Sequence, residues 1–177
     1  INRKGPPLLG GLPSLAPLTA QEVHQRVEKG AFLVDLRDAQ AFGQAHVPGA
    51  YAVPFSDSLS TWVGWVIPWA SQLTFLSGAP GHHEEVVRQL IRIGYDNLAG
   101  YLEGGIEAWE TAEYPVGSVP SISARELRGQ LESPGQPLLL DVRQRAEWRA
   151  GRMPGALNIE LGELQEHLDG LPRDLPL

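Results

Sequence analysis

Cysteine is absent from all 177 residues, and methionine occurs once. Without a thiol the chain can form no disulfide and no thiolate metal site, and it has no soft sulfur nucleophile. A basic excess is also missing, since 14 Lys and Arg stand against 21 Asp and Glu, a formal charge of −7. With a pI near 5.2, that balance argues against nucleic acid and anionic membranes as partners, because both demand a basic face. No apolar run approaches about eighteen residues and no signal-peptide pattern occurs, so no membrane span is predicted. The lack of cysteine fits a cytoplasmic protein.

What remains is ample material for a core. Hydrophobic residues make up 42% of the chain, which places it among globular rather than disordered sequences. The length suits one ordinary domain, or one and a half small ones. The chain opens on Ile1 rather than methionine, so a fragment or a processed chain is expected.

An internal repeat is the strongest pattern. FLVDLRDAQAFGQAHVPGAYAVPF starts at Phe32 and LLLDVRQRAEWRAGRMPGALNIEL at Leu138; Asp35 to Pro48 and Asp141 to Pro154 each span thirteen positions. Each copy follows its own capping box, Thr19 with Glu22 and Ser123 with Glu126, in which hydroxyl and carboxylate satisfy opposite backbone donors. Val23 and Val27, then Leu127 and Leu131, continue at helical spacing.

The first copy predicts helices near 19–29, 38–45, 83–93 and 105–112, with strands near 31–36, 50–53, 73–76 and 97–101. STWVGWVIPWA predicts a further short helix whose indoles, Trp62, Trp65 and Trp69, pack onto the sheet. Apolar strands alternating with short helices predict an α/β fold, a mostly parallel central sheet with helices on both faces, plus a partial second copy. The expected organisation is an extended arm over 1–17, a first domain over 18–117 and the front half of a second over 118–177, joined by the Pro/Gly/Ser-rich stretch 114–121. Half an α/β domain leaves sheet faces and edges uncovered. Either the rest of this domain is missing from the sequence, or the first domain, the arm or a second chain (a homo-oligomer) covers the gap. Leu138, Leu139, Leu140, Leu157, Ile159 and Trp148 should then be buried.

LTFLSGAPGHHEEVVRQL, residues 73–90, reads as strand, glycine-containing loop and amphipathic helix, an order that makes an anion cradle. A nucleophile would stand at Ser77. Serine chemistry with His82 or His83 as base is disfavoured, because both lie across the loop and no third residue orients either ring. Glu84 and Glu85 open the helix and repel an incoming anion. Asp35, Arg37, Asp141 and Arg143 read as ties between strand ends and neighbouring backbone. His46, replaced by Arg152 in the second copy, reads as a turn residue. Trp62 and Trp65 read as core, although an exposed indole there would mark a docking face.

VDLRDAQAF…AHVPGAYAVP, followed by GYDNLAGYLEGGIEAW…YPV, resembles a rhodanese-like domain, and DVR…EW…GRMPGALNI resembles the front of another. The resemblance implies a cysteine nucleophile at the end of the third-repeat strand, a thiolate that carries sulfane sulfur from thiosulfate to an acceptor. It puts Ser77 in that slot and His82 where an arginine often stands. Ser77, Gly78, Ala79, Pro80, Gly81 and His82 then form a vestigial active-site loop. INRKGPPLLGGLP resembles the junction that follows the catalytic domain in metallo-β-lactamase-fold proteins with tandem rhodanese domains, some of them persulfide dioxygenases. These resemblances imply a non-catalytic module that docks or positions an attached metallo-β-lactamase-fold domain. They place no cofactor in this chain, and iron or zinc in the attached domain. A second expectation is a sulfurtransferase whose cysteine lies past Leu177. A phosphatase relative, a third, would also require a loop cysteine.

Overall fold

The computed structural model describes residues 11–77 and 80–172, so the first ten residues of the arm lie outside it. The chain divides into two compact units, one ending at Pro120 and one beginning at Ser121.

In the first unit, β1 (Pro17–Leu18), β2 (Phe32–Asp35), β3 (Tyr51–Ala52), β4 (Leu73–Leu76) and β5 (Leu98–Leu102) form a five-stranded sheet in the order β1-β5-β4-β2-β3. Every pairing is parallel. Four helices connect the strands, α1 (Ala20–Glu28), α2 (Ala39–Gln44), α3 (Leu59–Val66) and α4 (His83–Arg92), and α5 (Gly105–Thr111) follows β5. The expected α/β architecture is therefore the observed one. β2 and β4 are buried along most or all of their length, as central parallel strands must be. Two apolar clusters cover the sheet. One gathers Val34, Phe75, Val63, Val86 and Leu90. The other gathers Leu33, Leu76, Val23, Leu102 and Trp109.

Local chemistry sets the element ends. The Thr19 hydroxyl accepts the Glu22 amide at 3.3 Å while the Glu22 carboxylate accepts the Thr19 amide at 2.8 Å, the reciprocal capping box read from sequence. α4 ends at Gly94, whose φ of +85° lets its amide reach Ile91 and the Tyr95 amide reach Leu90, both at 3.0 Å. This is a Schellman close.

Two readings need correction. The arm was expected to stay extended through residue 17, whereas Pro17 and Leu18 enter the sheet as an edge strand on β5. A two-residue strand holding a proline has no period to read, and proline is tolerated there because an edge needs fewer amide donors. The indoles were expected on the sheet, yet Trp62, Trp65 and Trp69 are 40%, 50% and 75% exposed. α3 spends its inward stripe on Leu59 and Val63, continued by Ile67, so Trp62 and Trp65 fall outside it. With tryptophans flanking the inward stripe of an apolar helix, packing and not the sequence pattern decides which apolar side chains are enclosed.

In the second unit, α6 (Ala124–Leu131) starts from the Ser123 capping box, and β6 (Leu140–Asp141), α7 (Arg145–Ala150) and β7 (Leu157–Asn158) repeat the β2-α2-β3 unit before α8 (Leu164–His167). A shift of 106 residues relates the copies down to single bonds. Val34 pairs Tyr51 as Leu140 pairs Leu157. The Val53 amide donates to Asp35 as the Ile159 amide donates to Asp141. Gly49 and Gly155, after the two prolines, share a φ of +80°. Burial departs from expectation. Ile159 is buried at 9%, Leu138, Leu139, Leu140 and Trp148 are half-buried, and Leu157 is 43% exposed. Two short strands with short helices have too little surface to enclose these side chains.

Candidate functional site

Parallel pairing brings the carboxyl ends of β2 and β4 side by side, Asp35 opposite Leu76. The chain leaves β4 at Ser77, so the loop after it opens at the carboxyl edge of the sheet, where α/β proteins place their sites. Asp35 is fully buried there and holds Arg37, with Nη2 at 2.6 Å and Nε at 3.0 Å from its carboxylate. The same Nη2 donates to the Ala45 carbonyl at 2.7 Å. The arginine thus ties the strand end to the end of α2, as read from sequence. Asp141 and Arg143 repeat the arrangement at 2.6 Å, with Gly151 accepting at 2.9 Å. Hydrogen bonds from the Arg143 side chain and amide hold the Asp141 carboxyl below its usual range.

A pocket of about 580 Å³ lies beside Ser77, with Arg37, His83, Tyr101, Glu107 and Glu110 among its other walls. Gly78 and Ala79 of the loop lie outside the described residues. Pro80–His82 form one 3₁₀ turn into α4, and Gly81 and His82 are exposed.

The adjacent histidines part company. His82 stacks on Phe55 with ring centroids 4.0 Å apart. His83 turns to Tyr101, 4.2 Å away, and reaches the pocket wall together with Ser77. Its Nε2 is buried with no hydrogen-bond partner. Burial pushes the His83 pKa down, and the neighbouring His82 adds to the shift, so the ring is neutral at neutral pH. Ser77 offers a hydroxyl, not a thiol, at this wall.

Glu84 and Glu85, read as repelling anions, both pair with Arg88, at 2.5 and 3.2 Å. Glu107 and Glu110 line the pocket instead, and the sequence reading missed them. A signal was available: in a parallel sheet the turn after every strand opens at the same end, so the start of α5 after β5 had to face the loop after β4. Gly104 and Gly105, at φ +76° and +66°, make that turn. A Cβ on Gly104 would sit 2.9 Å from the Ala108 methyl.

Elsewhere, the His46 Nδ1–H donates to the Phe42 carbonyl at 3.0 Å, the ring stacks on Phe42 and the backbone bridges Gly117, a turn role. Arg152 replaces it over the Trp148 ring at 4.3 Å. Among the described residues, no group of three His, Asp or Glu could hold a metal ion, and no helix is long and apolar enough to cross a membrane.

Comparison with known proteins places these features. The Rhodanese-like domain family matches residues 19–112 and 123–176. The chain is 46% identical over 57 residues to the human thiosulfate:glutathione sulfurtransferase, covering 32% of this chain and 49% of that protein, so it spans about half the length of that relative. It is 26% identical over 103 residues to the thiosulfate sulfurtransferase GlpE of Haemophilus influenzae (strain PittEE), 58% of this chain and 95% of that one. The crystal structure of the Alr3790 protein from Anabaena sp. shares the fold at a TM-score of 0.51 and 19% identity, covering 67% of this chain and 96% of that chain.

Proposed function

We propose that this chain, which belongs to the rhodanese-like domain family, uses its first unit for binding rather than sulfur transfer, and docks or positions an attached sulfur-handling domain of metallo-β-lactamase fold. Ser77 carries the reading. It follows β4 at the carboxyl edge of the sheet, on the pocket wall, where the resemblance calls for a cysteine. Taking the outer sulfur of thiosulfate requires a thiolate that attacks it, releases sulfite and holds the sulfur as a persulfide. A serine hydroxyl can do none of this at neutral pH. The exposed face of Trp62, Trp65 and Trp69 supports docking, since indoles in solvent offer apolar area to a partner. The iron or zinc would belong to the attached domain, with no cofactor held by these residues.

The test is thiocyanate formation from thiosulfate and cyanide by the purified chain. No turnover above buffer is expected, and cysteine-independent turnover would overturn the reading. Ser77→Cys alone should restore little, because Arg37 is committed to Asp35 and cannot hold the anion. A second reading, favoured by the 46% identity to a sulfurtransferase, is a thiosulfate or persulfide sulfurtransferase whose cysteine lies past Leu177. A persulfide adduct found by mass spectrometry on a parent protein would select it.

A further inference from the structure

We propose that the pocket beside Ser77 takes a ligand bearing an ammonium or guanidinium group, held by the carboxylates of Glu107 and Glu110. The inference rests on the reading that Ser77 forms no persulfide, and it names what the retained pocket binds instead. A cavity of about 580 Å³ is large enough for a small ligand or the end of a long side chain. Its charge decides which one. Arg37, the only cation lining the pocket among the described residues, is 11% exposed and gives its charge to the fully buried Asp35 at 2.6 Å. Its remaining reach goes to the Ala45 carbonyl. His83 contributes a neutral ring, because its Nε2 is buried against Tyr101 with no acceptor for a proton there. That leaves the exposed Glu107 and Glu110, neither with an ion-pair partner among the described residues. The pocket therefore carries negative charge at its mouth. An anion such as thiosulfate meets two carboxylates without ion-pair partners, whereas a cation meets two acceptors.

Agmatine, with a guanidinium at one end and an ammonium at the other, is the probe, and sodium thiosulfate is the contrast. Amide shifts of Gly104 and Gly105 are followed by NMR as each is titrated into the intact chain at low salt. Agmatine should move these amides saturably. The Glu107→Gln, Glu110→Gln double variant, which changes exposed side chains only, should weaken binding at least about five-fold. Raised salt should weaken it too, because exposed charges are screened. Thiosulfate should leave both amides unmoved in the same range. The proposal is overturned if thiosulfate saturates these amides below the agmatine range, or if agmatine does not bind. It also falls if the double variant binds agmatine as well as the natural sequence does. Failure here leaves the thiocyanate result intact, so the two readings fail separately.

Discussion

Thr74, in the middle of β4, buries a hydroxyl with no hydrogen-bond partner among otherwise apolar neighbours. A buried polar atom left unpaired costs about 1–3 kcal/mol, whereas a methyl of the same shape costs nothing there. Thr74→Val should therefore raise stability by about 1 kcal/mol, read as a higher denaturant midpoint with unchanged slope. An unchanged or lower midpoint would show that the hydroxyl has a partner after all. His83 poses the converse problem, a base that folding keeps unprotonated. Its folded pKa lies below the unfolded one, by burial first and then by His82. The unfolded chain binds the extra proton, so stability is fully present above the unfolded pKa and falls as pH drops through the unfolded value toward the folded one. The loss should begin near about pH 7 and be smaller in His83→Gln. Parallel pH profiles for the two proteins would sink this account.

At the scale of elements, the helix ends hold what the helix interiors lack. α4 stops because Gly94 adopts φ +85°, and a Cβ there would stand 3.3 Å from the Trp69 indole nitrogen. Gly94→Ala should cost about 1 kcal/mol or more, since alanine resists the left-handed region and Trp69 must also give way. Thermal unfolding would register it; an unchanged midpoint would mean that the turn has relaxed to another close. The capping boxes of α1 and α6 were legible from four residues each, because hydroxyl and carboxylate at that spacing meet without help from the rest of the fold. The face of α3 was not. Tryptophans at 62 and 65 look like core until Leu59, Val63 and Ile67 are seen to have taken the inward side.

Across the whole molecule the two units repeat one pattern with different depths of burial. β2 is flanked by β3 and β4 and enclosed by both apolar clusters. β6 pairs β7 alone among the described residues, with its leucine half-buried. Amides that depend on one neighbouring strand open more readily than those held from two sides. Hydrogen exchange should therefore be faster at Leu157 and Ile159, which donate to Leu139 and Asp141, than at Leu36 and Phe32 of the first unit, which donate to Leu76 and Gln72. Equal protection in the two units would contradict this.

By itself the sequence determined the repeat, the alternation of apolar strands with capped helices and the absence of a thiol nucleophile. Each of these is a matter of residue type and short spacing, and none depends on which segments meet. The Asp35–Arg37 tie belongs with them, because its partners lie two residues apart and recur as Asp141–Arg143. Tertiary structure decided the rest. Only sheet order placed Pro17–Leu18 on β5, and only helix packing left Trp62, Trp65 and Trp69 in solvent. Glu107 and Glu110 join Ser77 at one pocket although thirty or so positions separate them in the chain. A parallel sheet gathers the ends of distant strands at one edge, and the charge of that edge is a sum that no single segment carries.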